Sequence, residues 1–443
     1  MKYYIVLLIL FLSTLKTLSQ APTTYGTNAG TAGGGSSYYG YEAGMNSNMS
    51  SGANTFIGAY SGTLNTSGSS NTFVGNHTGY NNTASYNSFF GSTSGQNNTS
   101  GHSNSFFGYN SGMNNTTGYW NSFYGRDAGR SVTGGAGNSI FGFNAGKSLT
   151  GGNGNCFFGT QAGEYSNSGT ANIFIGYLAG NQNTSGNDNL AVGSQAGYNN
   201  ITGYYNTFIG MAAGHKNNDG FYNCYIGGAA GQRNIGGNSN SFIGVRSGSF
   251  ATSGQKNTYL GFESGMLNTS GSNNVFLGYR AGYGQVANNT LYIHNDSSSI
   301  PLVYGEFSSR KLGINTKSIP NGYTMGVKGK IITEEVKVQL TSGGIWPDYV
   351  FDPEYKLPTL KEIEAHIKEN GHLPEVPSAA DIKQNEGYEL GSMDMVLLKK
   401  IEELTLYSIE MEKQIKALQE ENKTLKEDVL HRLDNLEKQV KQL

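Results

Sequence analysis

The residues of this chain best suited to bind a metal or to transfer protons are its histidines, and they are scattered. No two of them have the spacing of metal ligands. The seven are His77, His102, His215, His294, His366, His372 and His431. None of the Gly-rich stretches is followed by both Lys-Ser/Thr and a helix, as a phosphate-binding loop would be. We therefore predict no catalytic, cofactor-binding or metal-binding residues and expect that the chain is not an enzyme.

The composition separates the chain into two parts. Among its 443 residues are 65 Gly and 50 Tyr or Phe (29 + 21), and only 14% are charged. Residues 54–288 contain five acids and eight Lys or Arg, whereas residues 289–443 hold 25 of the 31 acids. The net charge of −2 gives no electrostatic reason to expect nucleic acid or an anionic membrane as a partner.

The N-terminal segment, from Met1 to Ser19, has the features of a secretory signal peptide. Lys2 precedes an apolar run from Tyr4 to Leu12 that is too short to span a bilayer. Thr17 and Ser19 are small residues at −3 and −1 if cleavage precedes Gln20. The alternative is an uncleaved membrane anchor. No later segment is apolar enough to cross a membrane, so we expect a secreted, extracellular or cell-surface protein without a transmembrane segment in the mature chain.

A repeated pattern runs through the middle of the chain: Asn, a usually small residue, two mostly apolar residues and Gly. Its fourteen copies begin at Asn54, Asn71, Asn87, Asn104, Asn121, Asn138, Asn155, Asn172, Asn189, Asn206, Asn223, Asn240, Asn257 and Asn274. Successive copies begin 17 positions apart, except that Asn87 follows Asn71 one position early. Counted from the Asn as position 1, Gly recurs at positions 5 and 9 and nearly always at 15. A degenerate copy, residues 37–40, precedes the array.

This period predicts a mainly β fold, a parallel β-roll or β-solenoid with one coil per repeat. Two strands of about five residues and two turns would use up 17 residues. Gly and Asn supply the left-handed conformations of tight corners, and their recurrence argues against a helical repeat. Fourteen coils spaced about 4.8 Å apart would extend roughly 65–70 Å.

The strand positions predict burial on both faces. Position 3 is aromatic in 12 of 14 units, the exceptions being Ile140 and Ala191, and position 4 is always Ile, Val, Leu, Phe or Tyr. Neighbouring strand residues point to opposite faces. One face can fill the coil, and burying the other against identical chains implies a closed symmetric oligomer. The alternative is a wide interior or a covering segment.

Cys156 and Cys224, both at position 2, are about 19 Å apart, too far for a disulfide, and are expected to be small buried residues.

The array, over residues 36–288, resembles the head of trimeric autotransporter adhesins. In that family, Asn-Ser-apolar-apolar-Gly units form a left-handed parallel β-roll in each of three chains. The resemblance therefore implies a homotrimer. The 17-residue period is longer than is usual in those heads, and the family's C-terminal membrane-anchoring strands are lacking.

The last third changes character. Strands are predicted at residues 289–293, 301–305 and 330–338, with turns at 311–315 and at Gly322. Thr359 and Glu362 form a capping box for a helix that ends at Gly371. From about Leu397, apolar residues recur at intervals of three and four residues and form a heptad seam, which includes Asn422. An additional four-residue interval near Val429 marks a stutter in the heptad repeat. This pattern predicts a coiled coil.

The last third is similar to the C-terminal regions of tail-fibre-like bacterial surface proteins. The similarity rests on residues 346–351, 372–374 and 397–404. In related tail fibres this region is a trimerisation chaperone, and some versions cut themselves with a Ser/Lys pair. No Ser-Asp-x-x-x-Lys-like stretch is present here, which argues against self-cleavage.

Together these features divide the chain into six segments. They are a signal peptide (1–19), an N-terminal low-complexity cap (20–53), the β-roll (54–288), a β connector (289–345), a small α+β segment (346–395) and a coiled coil (396–443). We expect an adhesin-like homotrimeric fibre that mediates attachment. A glycan or an extracellular protein would bind at exposed corners near Tyr119-Trp120 or Tyr204-Tyr205.

Two other functions stay open at this point. One is an ice- or mineral-binding solenoid, although position 2 lacks the regular Thr row that such a face would need. The other is a tail-fibre-like protein with a self-processing C-terminal chaperone. Calcium binding is not expected, because three Asp residues in the array cannot supply one carboxylate per turn.

Overall fold

The structure is a computed structural model and describes residues 23–30, 34–48, 52–339 and 346–441. The predicted signal peptide lies outside the described residues. The chain forms two compact units, Met1–Ile331 and Ile332–Leu443.

The first unit is a parallel β-solenoid, as predicted. In the described part of the chain, seventeen short strands form one parallel stack, in which each of the first sixteen pairs with the next strand along the chain. They are β1 (Thr23–Tyr25), β2 (Ser37–Tyr39), β3 (Thr55–Ile57), β4 (Thr72–Val74), β5 (Ser88–Phe90), β6 (Ser105–Phe107), β7 (Ser122–Tyr124), β8 (Ser139–Phe141), β9 (Cys156–Phe158), β10 (Ile173–Ile175), β11 (Leu190–Val192), β12 (Thr207–Ile209), β13 (Cys224–Ile226), β14 (Ser241–Ile243), β15 (Thr258–Leu260), β16 (Val275–Leu277) and β17 (Thr290–Ile293).

Each coil contains one strand of three residues, so the prediction of two strands of about five residues was wrong. The strand ends at the position 5 glycine, where φ is positive, as at Gly108 with φ 135°. Positions 7, 9 and 17 are left-handed as well, as at Asn110, Gly112 and Trp120, each with φ 57°. A chain that turns this often has no room for a second strand. The turns instead hydrogen-bond from coil to coil, as where the Gly112 amide donates to the Ala128 carbonyl at 3.0 Å.

The interior of the solenoid is a ladder of position 3 rings, which confirms the predicted inward face. Phe89, Phe106 and Phe123 are fully buried. Their ring centroids lie 4.8 and 4.7 Å apart with nearly parallel planes. The position 9 glycine lies against this ladder: a Cβ on Gly112 would approach the Phe106 ring to 2.5 Å. Only glycine therefore fits both the space and the left-handed backbone at this position.

A second ladder is formed by the buried asparagines at position 1. Asn155 donates from Nδ2 to the Gly169 carbonyl of its own coil at 2.8 Å. Its Oδ1 accepts from the backbone N–H of Asn172 in the next coil at 3.0 Å. Each asparagine thus closes its own coil and joins it to the following one, which satisfies backbone groups that the turns leave without a partner.

The parallel stack extends beyond residues 54–288 at both ends. At the start, the coils between β1 and β5 differ in length, since the strands pair as Thr23–Ser37, Ser37–Thr55, Thr55–Thr72 and Thr72–Ser88. At the other end β17 joins the stack and pairs antiparallel with β18 (Val303–Glu306). β18 pairs antiparallel with β19 (Lys311–Ile314), which in turn pairs in parallel with β20 (Met325–Val327).

Two predictions for the connector were wrong. Residues 311–315, expected to form a turn, contain strand β19, because Leu312 and Ile314 find partners on both neighbouring strands. Residues 330–338, expected to form a strand, are not one. Gly329 has φ 146° and ends the pairing of β20, and the stretch that follows is exposed, Ile332 by 99%. Without a neighbouring strand, β propensity alone does not form a strand.

Helices are the regular elements of the second unit over its described residues. It contains a 3₁₀ helix (Pro347–Phe351), α1 (Leu360–Asn370), α2 (Ala379–Gln384) and α3 (Leu390–Val440). The Thr359–Glu362 capping box and the left-handed Gly371 at the end of α1 are confirmed. The described part of the predicted α+β segment holds no strand, because its prolines remove backbone donors and favour loops. They are Pro347, Pro353, Pro358, Pro374 and Pro377.

Two adjacent glycines offer a direct test of the tight coil packing. A Cβ on Gly227, where φ is 131°, would approach the Gly244 carbonyl oxygen to 2.5 Å, whereas a Cβ on Gly228 would have no neighbour within 4 Å. We expect Gly227→Ala to lower the free energy of unfolding by about 1–3 kcal/mol or more. We expect Gly228→Ala to change it by no more than about 0.5 kcal/mol. Urea denaturation would measure both, and equal midpoints for the two variants would contradict this packing.

Candidate binding surfaces

The outward face of the parallel sheet runs along all fourteen repeats of the solenoid. Positions 2 and 4 point outward on either side of the buried position 3. In each strand the first and third side chains are therefore partly or fully exposed and the middle one is buried. Across all fourteen repeats neither position carries a charged residue. Position 4 is exposed even where it is bulky, by 58% at Phe158 and 49% at Leu260. Within the solenoid only position 3 of each strand lies in the interior, so the alternative of an interior wide enough to bury both faces is not what the coils form.

Aromatic residues on the outward face stack along the coils. Phe90, Phe107, Tyr124 and Phe141 form a row with centroids 4.6, 4.6 and 4.7 Å apart. Their planes are within 8° of parallel. The rings therefore cover one another's faces and present a continuous, flat, apolar edge to the solvent.

Position 6 widens this apolar face, and the sequence analysis did not identify it. The position 5 glycine separates positions 4 and 6 by a single residue, and position 6 is exposed and apolar in half of the repeats. These residues are Tyr109, Phe143, Tyr177, Met211, Val245, Phe262 and Tyr279. Comparing position 6 across the 17-residue period would have revealed the row.

Both cysteines lie on the outward face. Cys156 and Cys224 are free and half-buried, so the expectation that they are buried core residues was wrong. Position 2 points outward, opposite to position 3, and its side chain cannot reach the interior. Partial burial raises the pKa of the Cys224 thiol.

Most charges at position 7 of the solenoid are paired with each other. The buried carboxylate of Glu263 lies between Arg246 and Arg280 of the two neighbouring coils, with N–O distances of 3.3 and 2.8 Å. The hydrogen bond to Glu263 raises the pKa of Arg280. Asp127 is paired within its own coil, with Arg126 at 3.2 Å and Arg130 at 3.8 Å. This edge therefore adds little net charge beside the apolar face.

One corner of the coil, positions 16 and 17, carries two aromatic clusters. Cluster A is His102, Tyr119 and Trp120; His102 stacks on Tyr119 at 5.2 Å, and Trp120 lies edge-on to both rings. Cluster B is Tyr204, Tyr205, Phe221 and Tyr222, in which Tyr204 stacks on Phe221 at 5.0 Å and Tyr205 on Tyr222 at 5.5 Å. The sequence analysis pointed to Tyr119-Trp120 and Tyr204-Tyr205. It missed His102, Phe221 and Tyr222, which the equivalence of positions 16 and 17 would have found.

In the second unit, a polar cluster holds the early turns of α3. Glu375 accepts from Lys399 at 2.6 Å and from Lys400 at 3.1 Å, and Lys400 also pairs with Glu403 at 2.9 Å. The buried carboxylate of Glu403 accepts a hydrogen bond from the Tyr355 hydroxyl, and the pKa of that hydroxyl is raised by burial and by this carboxylate. These contacts fasten the segments on either side of α1 to α3.

Beyond Tyr407, α3 is exposed on all sides. The predicted heptad residues are therefore uncovered within one chain. Those with large exposed side chains include Met411, Ile415, Leu418, Leu425, Val429, Leu433, Leu436 and Val440. A helix with an uncovered apolar stripe over more than four turns needs a partner to bury it.

The described residues contain no group of three or more His, Cys, Asp or Glu side chains placed to hold a metal ion. The rings of His366 and His372 are neighbours at 5.5 Å, and His294 lies 2.8 Å from the Asp296 carboxylate. Within the same part of the chain, no helix is both long and apolar enough to cross a bilayer.

Comparison of the chain with protein-family models, curated proteins and solved structures finds no match.

Proposed function

We propose that the chain is the subunit of a secreted homotrimeric fibre that mediates attachment. The observation that carries this proposal is the outward face of the solenoid, which is uncharged at positions 2 and 4 over fourteen coils. The apolar side chains of position 4 are partly exposed in every repeat, and a soluble monomer rarely leaves such a long apolar row in water. The occupant that fits it best is a second copy of the same face, because a flat and uncharged surface is complementary to itself.

The number of chains follows from the resemblance to trimeric autotransporter heads, in which three β-rolls pack around a common axis. Closed symmetry buries the same face on every chain and leaves no free apolar surface for further growth. The corners of the coils stay outside such an assembly and are available for attachment.

The exposed stripe of α3 supports self-association independently of the solenoid. Heptad positions in Ile, Leu, Val and Met are typical of parallel coiled coils, and Asn422 in the seam would fix the register of the chains. A coiled coil would bury side chains that are now about half exposed, such as Ile415 and Leu418 at 53% and 56%.

The two outward-facing cysteines provide a direct test. We expect light scattering to give three times the mass of one chain. We also expect Cys156 and Cys224 to react with a maleimide at least about tenfold more slowly in the oligomer than in a dissociated variant. The dissociated variant is Phe90→Glu/Phe107→Glu, which adds two charges to the outward face at least three coils from Cys156. Both forms are labelled at the same pH, because the raised pKa of Cys224 already slows its reaction within one chain.

The matched control adds the same charges to another side of the coil. Ser100 and Thr117 are exposed corner residues of the same two coils, and Ser100→Glu/Thr117→Glu is expected to remain trimeric. A monomeric mass for the native chain at micromolar concentration would refute the proposal. So would dissociation of the control to the same extent as the face variant.

A further inference from the structure

The aromatic residues at position 17 do not contribute to the core of the solenoid. Trp120, Tyr205 and Tyr222 are 65%, 54% and 56% exposed. All three hold left-handed backbone, with φ of 57°, 52° and 56°. Bulky side chains are disfavoured in that conformation, and the strain is commonly retained where a site requires it. At the same position other coils use Ser103, Gly154 or Ala171. The fold itself therefore does not require an aromatic residue there.

The two clusters lie on the same corner of the solenoid and are separated by coils with smaller residues at positions 16 and 17, which we call the floor. Trp120 and Tyr205 occupy the same position five coils apart, which is about 24 Å. The four coils between them present the pairs Ala136-Gly137, Asn153-Gly154, Thr170-Ala171 and Asn187-Asp188. A Cβ on Gly137 or on Gly154 would meet no atom within 4 Å, so the space above the floor is open. We call this surface the corner trough.

Two of the four coils between the clusters carry an asparagine at position 16. Asn153 and Asn187 each accept a backbone N–H through Oδ1, from Ala136 at 2.9 Å and from Thr170 at 2.8 Å. Both side chains are exposed, and their amide N–H groups donate to no described residue, so these groups are available as donors. The two asparagines are two coils apart, about 10 Å, which is close to the length of two pyranose rings in an extended chain.

The trough is nearly uncharged. From cluster A to cluster B, Asp188 is the only acidic residue at positions 16 and 17, and there is no Lys or Arg. This makes anionic ligands such as nucleic acid or sulfated chains unsuitable. Aromatic rings with free amide donors between them suit a ligand that is apolar on its ring faces and rich in hydroxyl groups.

We infer that the corner trough binds a linear neutral polysaccharide, with its sugar rings against clusters A and B and its hydroxyl groups on Asn153 and Asn187. This inference deepens the attachment function proposed above and rests on it. The ligand would lie along the coil axis, across about four or five sugar units, and would contact only residues of one chain.

The test uses the full chain in native gels that contain soluble neutral β-1,4-linked polysaccharides, namely hydroxyethyl cellulose, glycol chitin and galactomannan, with alginate as the anionic comparison. We expect the native protein to be retarded by at least one neutral polymer and not by alginate. Trp120→Ala/Tyr205→Ala is expected to weaken that binding by roughly tenfold or more. The matched control is Tyr86→Ala, which removes an equally exposed, left-handed aromatic residue outside the trough.

Thermal unfolding of the same variants separates binding from stability. If the rings serve binding, Trp120→Ala/Tyr205→Ala leaves the melting temperature unchanged or raises it, because alanine is less crowded at a left-handed position. A lower melting temperature would assign the rings to folding and overturn the inference. Free migration in every neutral gel, retardation by alginate alone, or native-like retardation of the double variant would overturn it too.

Light scattering on the same samples distinguishes this inference from the proposed fibre. A trimer that no neutral polysaccharide retards would overturn the ligand and leave the assembly in place. A monomer that is retarded would overturn the assembly and leave the corner trough in place.

Discussion

Replacing Phe106 with alanine is expected to lower the free energy of unfolding of the solenoid by about 3–5 kcal/mol. Phe106 is fully buried and stacks between Phe89 and Phe123. Its loss leaves a cavity that the two neighbouring rings cannot fill, because the hydrogen bonds between coils fix their spacing. Chemical denaturation followed by far-ultraviolet circular dichroism would measure the change.

The next residue along the chain is the matched control. Phe107 has the same side chain and also stacks on both neighbouring coils, but it points outward and is only half-buried. We expect Phe107→Ala to cost a small fraction of the Phe106→Ala effect in folding stability and to raise the dissociation constant of the oligomer instead. Equal losses of stability at the two sites would contradict the assignment of inner and outer faces.

The second large effect is expected from the position 1 asparagines. Asn155→Ala leaves the Asn172 N–H and the Gly169 carbonyl without their partners inside the solenoid. Each buried group that loses its hydrogen bond costs about 1–3 kcal/mol. The variant is therefore expected to be less stable by about 2–6 kcal/mol and to exchange the Asn172 amide hydrogen faster than the amides of distant coils.

Asn167 in the same coil is the control for this prediction. It is exposed, and its Oδ1 accepts from the Thr150 hydroxyl at 2.6 Å. Because both groups can bond to water instead, we expect Asn167→Ala to change stability by no more than about 0.5 kcal/mol. Hydrogen exchange at Asn172 that is as slow in Asn155→Ala as in the native chain would show that the ladder does not hold the coils together.

The period, the inward aromatic position and the outward apolar position could all be predicted, because each is marked by residue type at a fixed interval. The number of strands in a coil could not. Position 7 has φ between 51° and 61° in every coil, yet it is held by residues as different as Leu178, Arg246 and Glu263. Nothing in these residue types indicates a left-handed turn; the neighbouring coil's hydrogen bonds impose it.

The corner aromatics show the same limit. Tyr119, Trp120, Tyr204 and Tyr205 could be identified as exposed candidates, since they adjoin the turn at the end of a repeat. That they form the two ends of one trough depends on the exact stacking of five coils. The role of Asn153 and Asn187 as its floor depends on the same stacking, because in sequence they resemble any other corner asparagine.

The coils also show how such a chain can vary in length without losing its surfaces. The unit at Asn71 is one residue shorter than those that follow it, yet Thr72 and Ser88 still pair at the same position, and Val275 and Leu291 do likewise across the unit at Asn274. Asn54 donates to the Gly68 carbonyl fourteen residues on, whereas Asn71 donates to the Ala84 carbonyl only thirteen residues on. The missing residue therefore falls just before position 15. Single-codon insertions and deletions are thus absorbed in the turn before position 15, and positions 16 and 17 keep their place in the coil. Duplication of a whole unit would lengthen the stack by about 4.8 Å with both faces in phase. The length of the shaft and the turn before position 15 are therefore free to change during evolution, while the interior and the corner at positions 16 and 17 are held constant.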